Sequence, residues 1–308
     1  MNRISTAGNY SAVLANLLSA QARQVAAGQD VSSEKKATDL KGFARQAETL
    51  TAMRTLQTRV AGYTDQTTIL GNRLEVQDAA LSQMTDAILS ARAAIANALA
   101  TDRADALMQE VSGAFNNVVT GLNTKNNGQY LFSGGQVNTP PTNATGLASL
   151  TAVTSVALLF QNADLVTSNR LDDTTTLHTG FPADQIATEA FNAFGNIQSF
   201  QEGVDGPIVG SLTAAQRTFL QGQLAVFDQA HANLVQVVSR NGINQARVTA
   251  AQTDLEHRKT MLDGMIGNIT DVNMAEAISR LQQAQTSVQA AAQVFSTLSG
   301  ASLLNYLR

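Results

Sequence analysis

LQTRVAGYTDQTTILGNRLEVQDAALSQMTDAILSARAAIANA, residues 56–98, carries the clearest periodic signal in the chain. Alternating steps of four and three pick out Leu56, Val60, Tyr63, Thr67, Leu70, Leu74, Gln77, Leu81, Met84, Ile88, Ala91, Ile95 and Ala98, and nine of these thirteen are large and apolar. Repeats of 3.5 residues keep one helix face toward a partner, so this spacing predicts a coiled-coil seam of about six heptads. A straight helix over residues 45–100 would be about 80 Å long at 1.5 Å per residue. Ala100-Thr101-Asp102 offers a stop, after which Leu107, Val111, Phe115, Val118 and Leu122 mark a second helix.

A rod of that length needs a partner, and the same rhythm returns near the other end. Leu220, Leu224, Phe227, His231, Leu234, Val238, Asn241, Gln245, Val248, Gln252, Leu255, Lys259, Leu262, Ile266 and Ile269 repeat it. Antiparallel packing of 45–122 against 212–270 is the simplest way to bury both. The expected fold is therefore mainly α, a long antiparallel helical coiled-coil rod formed by the N- and C-terminal arms, with a small β-containing middle region. Asn241, Gln245 and Gln252 interrupt the seam, and these polar breaks predict helices able to slide between registers.

The two ends differ from the rod. No Asp, Glu, Lys or Arg occurs from Ile4 to Ala22 or from Leu281 to Leu307, and both stretches read as helices with an apolar stripe. On the first, Tyr10, Leu14, Leu17, Leu18 and Val25 share a side. An ordinary surface helix carries charge on its solvent face, so charge-free ends point to walls supplied by neighbouring molecules. A stand-alone bundle with little charge by chance is the bland alternative. The expected assembly residues are Ile4, Leu14, Leu18, Leu281, Val288, Phe295, Leu298, Leu303, Leu304 and Leu307. They lie in a terminal helix pair, 1–44 plus 271–308, with a charged hinge across 30–54.

The middle has different grammar. Asn126-Asn127-Gly128, Ser133-Gly134-Gly135, Pro140-Pro141 and Gly146 are turn signals, and all four prolines fall between 140 and 207. Residues 45–136 plus 200–270 form the expected helical rod domain, with a β-hairpin-like segment near 128–136. Residues 137–199 form an expected small, outward-facing mixed domain. Strands are predicted at 129–133, 150–160, 163–168 and 171–178, a helix at 183–200 and a loop at 203–210.

Composition excludes several function classes. With 14% charged residues and a net charge of −4, nothing favours nucleic acid, whose binding rests on neutralising phosphates. No cysteine is present, which removes disulfides, thiolate metal sites and a Cys nucleophile. It also fits a secreted protein that travels unfolded without forming wrong cross-links. No 18-residue apolar run occurs, so no stable membrane insertion is expected. His178, His231 and His257 lack metal-ligand spacing, Gly134-Gly135 lacks the lysine of a phosphate loop, and Asp172-Asp173 before three threonines reads as a turn. No enzyme, catalytic residue, cofactor or metal site is expected.

Four stretches carry a family resemblance. Arg3-Ile4-Ser5-Thr6 through Leu18 resembles the amino end of flagellin-type chains. Asn127-Gly128-Gln129-Tyr130-Leu131-Phe132-Ser133-Gly134-Gly135, followed by Thr139-Pro140, resembles a hook–filament junction signature and is the most specific of the four. Asp271-Val272-Asn273-Met274-Ala275-Glu276-Ala277 resembles the turn that opens the last helix, and Ser302 to Leu307 resembles junction-subunit endings. On these residues the chain resembles the flagellin superfamily, and within it most the group of hook-associated protein 3, the hook–filament junction subunits. One departure is that Gly28 to Lys36 replaces the arginine-isoleucine pair and acidic run of filament flagellins.

The resemblance implies a structural subunit of an extracellular bacterial flagellum, serving motility from a tube whose inner wall is the terminal helix pair. It implies type III export without a cleaved signal peptide, which fits an amino terminus lacking a signal-peptide pattern. Implied partners are other copies in a ring or helical layer, neighbouring hook-associated protein and flagellin subunits, and a cytosolic export chaperone at the C-terminal end. The rival readings are a filament flagellin with a reduced outer domain and a secreted type III translocator-like, membrane-active protein.

Overall fold

The computed structural model describes residues 2–304, with side chains for 9–299. In chain order the elements are helix α1 (Asn2–Ser33), a 3-10 segment (Leu40–Gln46), α2 (Ala47–Thr101), α3 (Leu107–Leu122), strands β1 (Lys125–Asn126) and β2 (Gln129–Tyr130) and the short α4 (Ala148–Thr151). A 3-10 turn (Val156–Leu159), β3 (Ser168–Arg170), β4 (Thr176–His178), α5 (Ala183–Glu202), α6 (Ala214–Thr270) and α7 (Met274–Leu304) follow. The chain divides into two compact units, residues 1–59 with 258–308, and residues 60–257.

In the second unit the predicted seam of α2 is the buried face. Every seam position from Thr67 to Ala98 is buried, Leu74, Leu81, Ile88, Ala91 and Ile95 completely. Its partner is α6, running antiparallel: Arg92 pairs with Asp228, and Gln77 donates to Asn241 at 3.3 Å. These contacts follow one register. Small alanines among the seam residues let the helices approach, and Leu220, Phe227, Leu234 and Val248 fill the α6 side.

The helix after residue 101 does not lengthen the rod, contrary to the expected 45–122 arm. Asp102 takes a left-handed conformation at φ 56°, and its main-chain oxygen accepts from Leu212 N at 3.2 Å. Its carboxylate meets Arg217 at 2.5 Å. The chain reverses there, and α3 runs back along α2 closely enough that a Cβ on Gly121 would lie 2.5 Å from Met84 Cγ. Phe115 of α3, Phe191 and Phe194 of α5 and Phe227 of α6 then meet edge to face at 5.1–5.4 Å, the offset geometry aromatic quadrupoles favour. The result is a bundle around α2, α3, α5 and α6.

The β content is smaller than the sequence predicts. β1 and β2 form a ladder pairing Lys125 with Tyr130 and Asn126 with Gln129, closed by Asn127 and Gly128 at positive φ. Such an Asn-Gly pair is the preferred two-residue hairpin turn because its twist matches the strands. β3 and β4 pair antiparallel, Asn169 opposite Leu177. The predicted strand over 150–160 is instead two helical turns. Leu150 and Leu159 are buried in the bundle core, and that docking outweighs a β propensity that is weak without a neighbouring strand.

Candidate assembly interface

The first unit is built on the α1–α7 pair. Along α1 the buried and half-buried positions include Val13, Leu17, Ala20, Gln24, Ala27 and Val31. Along α7 they include Met274, Ala277, Leu281, Ala284, Val288, Ala291 and Phe295. Both sets keep the four-three spacing of a two-stranded seam. The helices run antiparallel, with Tyr10 against Phe295 at a ring separation of 5.1 Å and Arg280 reaching Asp30 at 3.9 Å. The fully buried members of this seam are all alanines: Ala20, Ala27, Ala277 and Ala284. Alanine permits close approach but removes little apolar surface from water, so the pair is thin.

What the seam leaves out is apolar too. Leu14, Leu18 and Val25 form a second stripe, about 100–140° around α1 from the seam at 3.6 residues per turn. Leu18 and Val25 are 56% and 62% exposed. On α7, Ile278, Val294 and Leu298 are likewise exposed. The expected assembly residues therefore fall into two groups. Leu14, Leu18 and Leu298 are exposed, whereas Leu281, Val288 and Phe295 are half-buried on the α1–α7 seam. Ile4, Leu303 and Leu304 belong to α1 and α7 with side chains outside the described set, and Leu307 lies outside the described residues. Reading one apolar side on α1 merged two faces, because single-residue shifts of 100° separate seam from flank.

Between the helix pair and the next helices, residues 34–36 and 270–273 lock together. Lys36 N donates to Thr270 O at 2.7 Å and Val272 N to Glu34 O at 3.0 Å. Lys36 Nζ donates to the carbonyls of Asn268 and Ile269 at 3.0 and 3.1 Å. A cation there satisfies carbonyls left over at the end of α6 and opposes the negative end of its dipole. Lys35 Nζ sits 2.5 Å from Asp271 Oδ1. That hydrogen bond, helped by the Thr270 hydroxyl, lowers the Asp271 carboxyl below its ordinary pKa. Asn273 then caps α7, its Oδ1 accepting from Ala275 N at 3.1 Å. The expected hinge region thus contains a hydrogen-bonded crosspiece.

The stretch Tyr130 to Gly135 has a packing role in the second unit. Leu131, Phe132, Ser133 and Gly134 are buried, Tyr130 is half-buried and Gly135 exposed. Phe132 O accepts from Ala183 N at 2.9 Å and Ser133 O from Ala163 N at 3.1 Å. Gly134 has φ +62°, and a Cβ there would lie 2.0 Å from Ala163 O, so only glycine fits the turn.

Among the described residues, titratable side chains do not gather in the same way. Among the described residues no three His, Asp or Glu side chains are grouped to hold a metal ion. His231 and His257 are about 40 Å apart along α6 at 1.5 Å per residue, and His178 lies on β4. Asp172 turns the β3–β4 hairpin: its carboxylate accepts from Thr174 N and Thr175 N at 2.7 Å and from both threonine hydroxyls. These bonds, the Thr174 amide first, bring its pKa down from 3.8 to about 2. Among the described residues no helix is long and apolar enough to cross a membrane.

Residues 224–307 match the family model of the bacterial flagellin C-terminal helical region. That segment holds most of α6 and the whole seam face of α7. The fold is shared with a protein assigned to the flagellar hook-associated proteins, from Vibrio parahaemolyticus. That likeness has a TM-score of 0.59 and 14% identity and covers 73% of this chain and 97% of the other. Bacillus cereus FlgL is similar at TM-score 0.54 and 13% identity, over 71% of this chain and 99% of its own. Xanthomonas campestris FlgL is similar at 0.54 and 12%, over 70% and 98%. No curated sequence matches the chain.

Proposed function

We propose that the chain is a structural subunit of the bacterial flagellum, the junction adaptor between hook and filament. It is exported by the flagellar type III pathway and assembled through its terminal helices. The observation that carries this reading is the flagellin-type match over residues 224–307. It coincides with an α1–α7 pair that leaves a second, uncharged apolar stripe uncovered. In the assembly, that stripe packs on other copies in a ring or helical layer and on neighbouring hook-associated and flagellin subunits. Residues 1–44 and 271–308 line the inner tube, and 137–199 face outward. Before export, a cytosolic chaperone covers the carboxyl-terminal helix.

Deletion of the gene in a motile host tests the reading. Cells should still build hooks but shed flagellin monomers into the medium; normal filaments on the deletion strain would refute the junction role. The flagellin match also favours a second reading, a filament flagellin with a reduced outer domain. Seeded polymerisation separates the two, because a flagellin extends filaments and a junction subunit stops at a short layer.

A further inference from the structure

The seam between α2 and α6 changes character between residues 63 and 78. Thr67 and Gln77 on α2 and Asn241 on α6 are all buried, and the apolar filling is thin. An apolar seam holds its register through packing; a polar one holds it only if every group finds its partner. Two of the acceptors, Thr179 O and His178 O, come from outside the two helices. Gln77 Nε2 donates to Thr179 O at 3.3 Å as well as to Asn241 Oδ1. Asn244 Nδ2 donates to His178 O at 3.1 Å, and Asn169 Nδ2 to Thr179 Oγ1 at 2.8 Å. Asn241 Nδ2 completes the layer on Leu74 O and Asp78 Oδ1, both at 3.1 Å.

Residues 167–180, which supply the His178 and Thr179 acceptors, are the β3–β4 hairpin. Its Leu171 and Leu177 join Leu70, Leu74 and Val248 in a small core cluster separate from the main bundle core. At the turn, Tyr63 OH donates to Asp173 Oδ1 at 3.0 Å. The hairpin closes on itself through Thr179 N and Gly180 N, both donating to Thr167 O. A Cβ on Gly180 would lie 2.6 Å from Thr167 N, so glycine lets the two ends meet.

We propose that the β3–β4 hairpin is a clasp that sets the register of the α2–α6 pair across residues 63–78 and 241–252. With the clasp seated, buried amides select one alignment. Without it, Gln77 and Asn244 lose acceptors while the apolar contacts left behind cannot distinguish neighbouring heptads. The main-bundle core holds its own section, so the conditional part is local.

The absence of cysteine in the chain allows a direct test by disulfide trapping in the full-length protein. A Cβ on Gly71 would lie 3.6 Å from Gln252 Nε2 and 3.8 Å from Val248 Cγ1. Gly71→Cys with Val248→Cys should therefore cross-link, while Gly71→Cys with Leu255→Cys reports a slip of one heptad. With the hairpin intact, the first pair should cross-link at least about tenfold faster, given the narrow Cβ spacing a disulfide accepts. Replacing residues 168–179 by Gly-Gly should reduce that preference to within about twofold. Adding Gln77→Leu and Asn241→Leu to the excised chain should restore it by making the layer apolar. Leu171→Ser with Leu177→Ser, which unseats the hairpin at full length, should act like the excision and covers the case of an excised chain that does not fold. An undiminished tenfold preference in either unclasped chain would overturn the proposal.

Discussion

Gly113 and Gly121 lie on the same helix and make opposite demands. Gly113 has open space where a Cβ would go, whereas at Gly121 that atom would sit 2.5 Å from Met84 Cγ and 3.1 Å from Ala80 O. Gly113→Ala should stabilise the second unit by about 0.5–1 kcal/mol through helix propensity. Gly121→Ala should destabilise it by about 1–3 kcal/mol through overpacking. Urea unfolding of both variants checks the pair, and equal effects would show that α3 does not press on α2 as closely as described. Asp172 supplies a pH prediction at the same scale. Its folded pKa lies below the unfolded value, so its contribution is complete above about pH 4 and lost as pH falls through about 2. A carboxyl titration by NMR should show a midpoint near 2, with faster amide exchange in the hairpin below it. Around it, Arg170 donates to the Asp172 and Asp173 carbonyls and Tyr63 donates to the Asp173 carboxylate. The turn role of Asp172 was legible from Asp followed by threonines. The demand at Gly121 was not, because the atoms it excludes lie more than thirty residues away.

At the scale of elements, α5 is what turns a helix pair into a bundle. Phe194 stands between Phe115 of α3 and Phe227 of α6, fully buried. Phe194→Ala should cost about 3–5 kcal/mol from lost transfer and an unfilled cavity. Denaturant midpoints followed separately in the two units should show the loss confined to residues 60–257, whose core contains it. The periodic run 56–98 was readable because one buried stripe on a long helix imposes a sequence period regardless of what covers it. The reversal at residues 101–107 was not, since a cap looks the same whether the next helix continues or doubles back. Asn241 and Gln245 show a related limit. As isolated polar breaks they predicted sliding, yet Asn241 is fully buried and Gln245 Nε2 donates to Leu74 O at 3.1 Å. Satisfied buried amides favour one alignment.

At the scale of the molecule, the two units differ in how complete their burial is. The second encloses phenylalanines and leucines, while the α1–α7 seam encloses mainly alanines. In dilute monomer, residues 9–27 and 278–298 should therefore exchange amide hydrogens faster than the bundle core, and assembly should slow them. Leu14→Ser with Leu18→Ser should change monomer stability by no more than about 0.5 kcal/mol per site, as expected of exposed positions. The same double variant should prevent polymer formation, read by sedimentation and electron microscopy. Normal polymer from that variant would remove the exposed stripe from the interface. By itself, the sequence determined the helical rhythm of both long arms, the uncharged ends, and the absence of thiol chemistry, because periodicity and composition are local properties. Only the tertiary structure decided which apolar face of α1 meets α7, where α3 turns back, and what satisfies the amides between α2 and α6. Each of those depends on which distant atoms come within a few ångströms, and spacing along one chain does not encode that choice.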